Sequence, residues 1–190
     1  SREIDMAHLY TADPHFGHAA IIRFCDRPFR GVAEMNARIL CNYQSAVDID
    51  DDLWILGDLA FAGSEDRDRV AEMLGSIPCR KHLVAGNHDP VWVRELDEWC
   101  SVHDLVQVED HGTWLTLCHY PMITFPDARR GGLQLFGHVH DNWQGTRNSV
   151  NVGVDVWGFA PVTLAQIRRR ASRLPINPLW PDVEPRSVLG

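Results

Sequence analysis

The sequence predicts an α/β fold with more than one sheet. Three observations carry that expectation. Short apolar runs alternate with stretches of helical periodicity through the first half of the chain. After about residue 100 the pattern turns β-rich, with closely spaced apolar runs separated by Gly112, Gly131-Gly132 and Gly145. The length of 190 residues is that of about one domain, enough to bury roughly 70% of the surface an unfolded chain exposes.

Taken in order, His8 to Ala12 reads as a short strand. Gly31 to Val47 reads as a helix, because Val32, Met35, Ile39, Leu40, Tyr43 and Val47 return at three- and four-residue steps and make one apolar face. Asp48 to Asp52 is an acidic turn, and Leu53 to Leu56 is a buried strand. Ser64 is placed to cap a helix that runs through Met73 and Leu74. Leu83 to Ala85 is a further strand, and Pro90 to Trp99 a short helix. In the second half, strands are expected at Leu105–Val108, Trp114–Cys118, Leu133–Phe136 and Val150–Val154, and a last helix at Leu164–Ala171. Pro175, Pro178, Pro181 and Pro185 oppose regular structure beyond it. The expected organisation is one domain over residues 1–174 and an extended proline-rich tail over 175–190.

Composition narrows the function classes. Hydrophobic residues at 45% and charged residues at 23% are ordinary globular usage, which excludes a disordered or collagen-like chain. No apolar run approaches the roughly 18 residues of a membrane span, so no membrane partner is expected. Ser1 to Asp5 shows no cationic patch followed by an apolar segment, and no signal peptide is expected. The five cysteines, Cys25, Cys41, Cys79, Cys100 and Cys118, are odd in number and widely spaced. They fit reduced thiols in a cytoplasmic protein better than a disulfide framework or a thiolate zinc site. The formal net charge of −8 is opposite to the basic surface of most phosphate-gripping nucleic-acid binders. Nucleic acid is therefore not the favoured partner.

Ten histidines stand out, and their placement is informative. Five strand-like runs each end in residues that ligate metals: Asp13-Pro14-His15, Gly57-Asp58, Gly86-Asn87-His88-Asp89, His119, and Gly137-His138-Val139-His140. In α/β sheets, sites form beyond the carboxyl ends of strands, and glycine there lets the chain turn sharply. Singly, each cluster has a bland reading as a turn or a surface histidine. Jointly they offer seven ligand candidates, Asp13, His15, Asp58, Asn87, His119, His138 and His140, more than one four-coordinate ion needs. Imidazole, carboxylate and amide oxygen suit manganese, iron or zinc.

These residues, in this order, resemble the calcineurin-like metallophosphoesterase superfamily, whose pattern is D-x-H, G-D, G-N-H-D/E, a lone H, and G-H-x-H. The flanks, His15 to Phe29, Glu34-Met35-Asn36 and Asn151 to Trp157, resemble a branch of small bacterial and phage phosphoesterases. The resemblance implies two mixed β-sheets packed as a sandwich and flanked by helices, a four-layer αββα arrangement. It implies two divalent ions, manganese favoured. Asp13, His15, Asp58 and His140 would hold one, Asp58, Asn87, His119 and His138 the other, with Asp58 shared. It further implies metal-bound hydroxide attack on a phosphate ester, with His88 as the catalytic residue that assists the leaving group. Imidazole suits such a proton transfer at neutral pH.

The expected activity is hydrolysis of a phosphomonoester or phosphodiester, a nucleotide or other small ester first. A nuclease acting on DNA or RNA is the alternative, and a non-catalytic metal-binding scaffold the remote one. Asp58-Leu59-Ala60-Phe61-Ala62 lacks the further Asp and Arg of the Ser/Thr protein phosphatases. His18, Arg23 and Arg27 are candidates for phosphate oxygens, His18 and Arg27 before Arg23. Trp157 and Phe159 read as core before pocket, and Arg168-Arg169-Arg170 with Arg173 as a solvated helix face. Asp89 is expected to point back into its own loop rather than to partner His88.

Overall fold

A computed structural model describes residues 6–184. The reading of Ser1–Asp5 and of Pro185 lies outside the described residues. The elements in chain order are β1 (His8–Thr11), α1 (Ile21–Phe24), α2 (Val32–Ala46), β2 (Asp52–Ile55), α3 (Arg67–Gly75), β3 (Arg80–Val84), α4 (Val91–Arg94), β4 (Ser101–His103), β5 (Leu105–Asp110), β6 (Thr113–Cys118), β7 (Leu133–Phe136), β8 (Gly145–Thr146), β9 (Ser149–Asn151), β10 (Val162–Thr163), α5 (Leu164–Ala171) and α6 (Trp180–Val183).

Two mixed five-stranded sheets, flanked by helices, form an α/β sandwich. The first has the order β10-β1-β2-β3-β4 and the second β5-β6-β7-β9-β8. In the first, β1 to β4 run parallel and only β10 is antiparallel. In the second, β6, β7 and β9 are parallel, with antiparallel β5 and β8 at the edges. Period-two alternation divides the core. From β1 and β2, Leu9, Leu53 and Ile55 face Met35, Ile39, Val70 and Leu74 of α2 and α3. Tyr10, Trp54 and Leu56 face the other way and meet Leu115, Leu117, Leu135 and Val150 of the second sheet. A strand covered on both faces must be apolar throughout, which is why Leu53 to Leu56 is an unbroken apolar run. Helix α5 packs Leu164, Ile167 and Ala171 into the inter-sheet core, and its N-terminus is closed by a capping box between Thr163 and Gln166.

Some element boundaries differ from the sequence expectation. Ser64 opens a 3₁₀ turn, Ser64–Asp66, without a side-chain cap bond, and the α-helix proper starts at Arg67. Only Val91–Arg94 of the Pro90–Trp99 segment is helical. Arg67 takes the carbonyls of Trp92 and Glu95, so side-chain donors replace the ladder there. The segment Val150–Val154 leaves the strand after Asn151 and turns at Val154–Val156. The proline-rich tail is not wholly extended. It holds the single helical turn α6, with Pro181 in the first turn, where its missing N–H leaves no bond unmade. The tail also stays on the domain, because Arg147 N donates to Pro175 O and Thr124 Oγ1 donates to the Glu184 carboxylate. No described helix is long and apolar enough to cross a membrane.

Candidate metal centre

The carboxyl ends of β1, β2, β3, β6 and β7 bring the five polar clusters to one place. Beyond the strands, the loop after β1 runs beside the loop after β2. Asp13 N donates to Gly57 O, His15 N to Asp58 O and Phe16 N to Leu59 O. This ladder holds the backbone in conformations it would otherwise avoid. Nine non-glycine residues among those described have positive φ, and five of them are ligand candidates: Asp13, His15, Asp58, His138 and His140. Such left-handed residues cost about 1–3 kcal/mol each and persist only where the surroundings impose them.

The motif glycines have a second role besides turning. Gly57 does turn, with φ +84°. Gly86 and Gly137 instead allow close approach, since a Cβ on Gly86 would collide with Asp58 Oδ1 and one on Gly137 with Asp13 Oδ2. Backbone N–H groups then aim the carboxylates. His138 N donates to both oxygens of Asp13, at 3.1 and 2.9 Å, and His88 N donates to Asp58 Oδ1 at 2.8 Å.

Asp13, His15 and His140 present ligand atoms within 4.8 Å of one another, and so do Asp13, Asp58 and His119. Asp58 Oδ2 stands between the groups, 3.5 Å from His15 Nε2 and 3.6 Å from His119 Nε2. Asn87 Oδ1 lies 3.1 Å from His119 Nε2 and 2.9 Å from His138 Nδ1. The structure therefore brings all seven ligand candidates together.

The donor set fits cations. Asp13 and Asp58 are buried side by side, and burial, followed by opposing charge effects, drives the Asp13 carboxyl well above the usual carboxylate range. Both ring nitrogens of His15 are buried without a hydrogen-bond partner. Burial, then the neighbouring His140, holds its imidazole down to about 2, so it is a neutral ring with a free lone pair. His119 Nδ1 donates to Leu56 O at 2.8 Å, which turns the Nε2 lone pair toward the oxygens of Asn87 and Asp58. Lone pairs converging on buried carboxylates are unfavourable unless a cation lies among them.

Around these groups lie residues whose roles the sequence did not disclose. Asp155 Oδ2 accepts from His140 Nδ1 at 2.8 Å. Burial alone would lower the His140 imidazole, but the bonds to Asp155 and Cys25 and the charge of Asp13 lift it to about 10. Asp155 also binds Arg27, through Nε at 2.7 Å and Nη2 at 2.9 Å. Arg27 is fully buried and donates in addition to the carbonyls of Asp13 and Pro14. Its guanidinium is thus turned beneath the centre, a placement that does not present it to a phosphate, because its donors are taken by protein oxygens. Asp89 accepts from Gly86 N of its own loop, as the sequence suggested, but also from Asp58 N and Leu59 N of the loop after β2, so it ties the two loops together. His18 stays at the surface of the site, its ring 5.6 Å from His15 and 4.2 Å from Phe61, with Nδ1 accepting from Ile21 N. Arg23 is exposed on α1. His88 is exposed beside a cavity of about 560 Å³ that Phe61, Asp66, Asn87 and Pro90 also line. Trp157 and Phe159 pack against the two cores.

No family model matches the chain. It is 26% identical over 180 residues to the Gene 66 protein of Mycobacterium phage L5, an alignment covering 78% of this chain and 86% of that protein. Its structure superposes on a protein of unknown function, AQ665 from Aquifex aeolicus, with a TM-score of 0.71 and 24% identity, covering 87% of this chain and 100% of the other; the two share a fold. It is 31% identical over 169 residues to the uncharacterized protein MJ1445 of Methanocaldococcus jannaschii, covering 85% of this chain and 89% of that protein. With that identity across most of both chains, the protein belongs to the same family as MJ1445.

Proposed function

We propose that the protein is a metal-dependent phosphoester hydrolase of the calcineurin-like metallophosphoesterase type. The observation that carries this reading is the convergence of the seven ligand candidates around two buried carboxylates, with both nitrogens of His15 unpartnered. Asp13, His15, Asp58 and His140 would hold one divalent ion and Asp58, Asn87, His119 and His138 a second, manganese being the first choice. When bound, the two ions supply a nucleophile from water at neutral pH and neutralise phosphate charge.

The chain's own residues supply the rest. The backbone of His88 is tied to Asp58, which holds its exposed imidazole at the mouth of the site, where it gives a proton to the leaving oxygen. His18, fixed through Nδ1, keeps Nε2 for a phosphate oxygen. Phe61 and Pro90 give the cavity an apolar wall that holds water away from the ester. The volume of that cavity is within the range of small-ligand sites, which favours a small phosphate ester such as a nucleotide. Cleavage of DNA or RNA is the second reading, favoured by an arginine face elsewhere on the molecule.

The test is hydrolysis of p-nitrophenyl phosphate, its bis ester and a nucleotide panel with manganese, by the wild type, Asp58→Ala and His88→Ala. Loss of about 10²–10⁴-fold in turnover is expected for His88→Ala, and loss of both turnover and bound metal for Asp58→Ala. Equal turnover by all three proteins would sink the reading.

A further inference from the structure

A second cavity, of about 450 Å³, lies at the last turn of α5, lined by Gln144, Trp157, Gln166, Arg169, Arg170 and Arg173. Its charge is anomalous for a chain of net −8. Elsewhere, Arg27, Arg30, Arg69, Arg80, Arg94, Arg129 and Arg130 each pair with a carboxylate. Among the described residues, Arg23, Arg38, Arg67, Arg147, Arg168, Arg169, Arg170 and Arg173 form no such ion pair, and three of these, Arg169, Arg170 and Arg173, line this one cavity. Arg168 donates to Thr113 Oγ1, Arg170 to Val156 O and Arg147 to Leu174 O, and no carboxylate lines the cavity. The negative end of the α5 dipole favours basic residues in its last turn. It does not account for the cavity that Arg169, Arg170 and Arg173 line together with Trp157 and Gln144 from other segments.

The cavity is also organised. Arg170 Cζ sits over the Trp157 ring, 3.2 Å from its centroid, while its Nη1 donates to Val156 O. Trp157 Nε1 is fixed by Asn151 O. These anchors connect it to the metal centre. Val156 follows Asp155, the carboxylate on His140, and Asn151 Nδ2 bonds the carbonyls of His140 and Trp143, next to Gln144. No residue lining this cavity is among the ligand candidates, and none lines the cavity at His88. A ligand that used both would need two anionic groups joined by a spacer.

We infer that this arginine cavity binds a backbone phosphate of a single-stranded nucleic acid, another phosphodiester of which occupies the metal centre. The inference rests on the hydrolase reading and develops its second form, cleavage of nucleic acid, rather than the small-ester one. Planar guanidinium forks match phosphate oxygens. A positively charged groove that tracks the backbone is part of the usual grip on single strands. A flexible strand can turn a phosphate into a cavity of this size, which a stiff duplex presents only at its rim.

The test measures anisotropy of a fluorescein-labelled oligothymidylate of about 12 nucleotides, in EDTA so that it stays intact, across a salt series. The proteins are wild type, Arg169→Gln/Arg173→Gln and Arg169→Glu/Arg173→Glu, whose melting curves confirm folding at these exposed positions. Expected are affinity weakened about fivefold or more in the Gln pair, further in the Glu pair, and a salt slope shallower by about 1 to 1.5. With manganese, the ratio of strand cleavage to bis-p-nitrophenyl phosphate hydrolysis falls with affinity. Arginine-dependent binding without bis-ester hydrolysis by the wild type would support the cavity's ligand and sink the hydrolase reading instead. Displacement of the strand by inorganic phosphate at equal phosphate concentration, equal binding by all three proteins, or no binding by the wild type would overturn the inference.

Discussion

At the scale of single residues, the candidate centre separates the seven ligand candidates from the groups that hold them in place. The ligand candidates were legible because each follows a strand directly, in a local motif. The roles of Arg27 and Asp155 were not: both lie in flanking segments that carry the resemblance, but their ion pair joins positions 128 residues apart and nothing local pairs them. The sequence placed Arg27 among phosphate-binding candidates on its charge alone; burial between Asp13 O, Pro14 O and Asp155 makes it a brace instead. A carboxylate on the far nitrogen of a ligating histidine fixes ring orientation and tautomer. Asp155→Asn should therefore lower manganese affinity about 10- to 100-fold, read by calorimetric titration of the metal-free protein. Unchanged affinity would assign Asp155 to packing alone. The positive φ of five ligand candidates was equally hidden, because a left-handed conformation at Asp or His has no residue signature as glycine does.

At the scale of elements, the strands that carry the site were readable and the edges were not. β2 carries Leu53, Trp54 and Ile55 of the apolar run that both faces of the sheet require, and β6 and β7 are mostly apolar, with Thr116 and Gln134 as buried polar exceptions. β4, β8 and β10 are two or three residues long, too short to show a period, and they form through pairing with neighbours. Between elements, Tyr10 of β1 donates to Asp110 Oδ2 of β5 at 2.9 Å, a buried bond that joins the two sheets. Burial, then the adjacent Asp110 charge, pushes the Tyr10 phenol up, so it remains a donor at any working pH. Tyr10→Phe removes that donor and leaves a buried carboxylate short of a partner. The expected loss is about 1–3 kcal/mol in urea denaturation; a smaller change would mean that Asp110 finds water when the hydroxyl is gone.

At the scale of the whole molecule, the sandwich pays for a strained, charge-dense edge with two apolar cores, and divalent ions are expected to relieve part of that load. Excess manganese at about 100 times its dissociation constant should add about 2.7 kcal/mol to the folded state. That raises the melting temperature by roughly 5–10 °C, reversed by EDTA and absent in Asp58→Ala. A flat response would remove the ions from the folded ground state. The sequence by itself determined the α/β class and the five strand-end motifs, since these are patterns of adjacent residues written in periodicity and glycine placement. Tertiary structure alone decided the order of the two sheets, the bracing of the site by Arg27 and Asp155, and the placing of Gln144 and Trp157 beside the arginines of α5. Each of those depends on contacts between distant segments, and neither composition nor spacing records which distant side chains the fold will bring within a few ångströms.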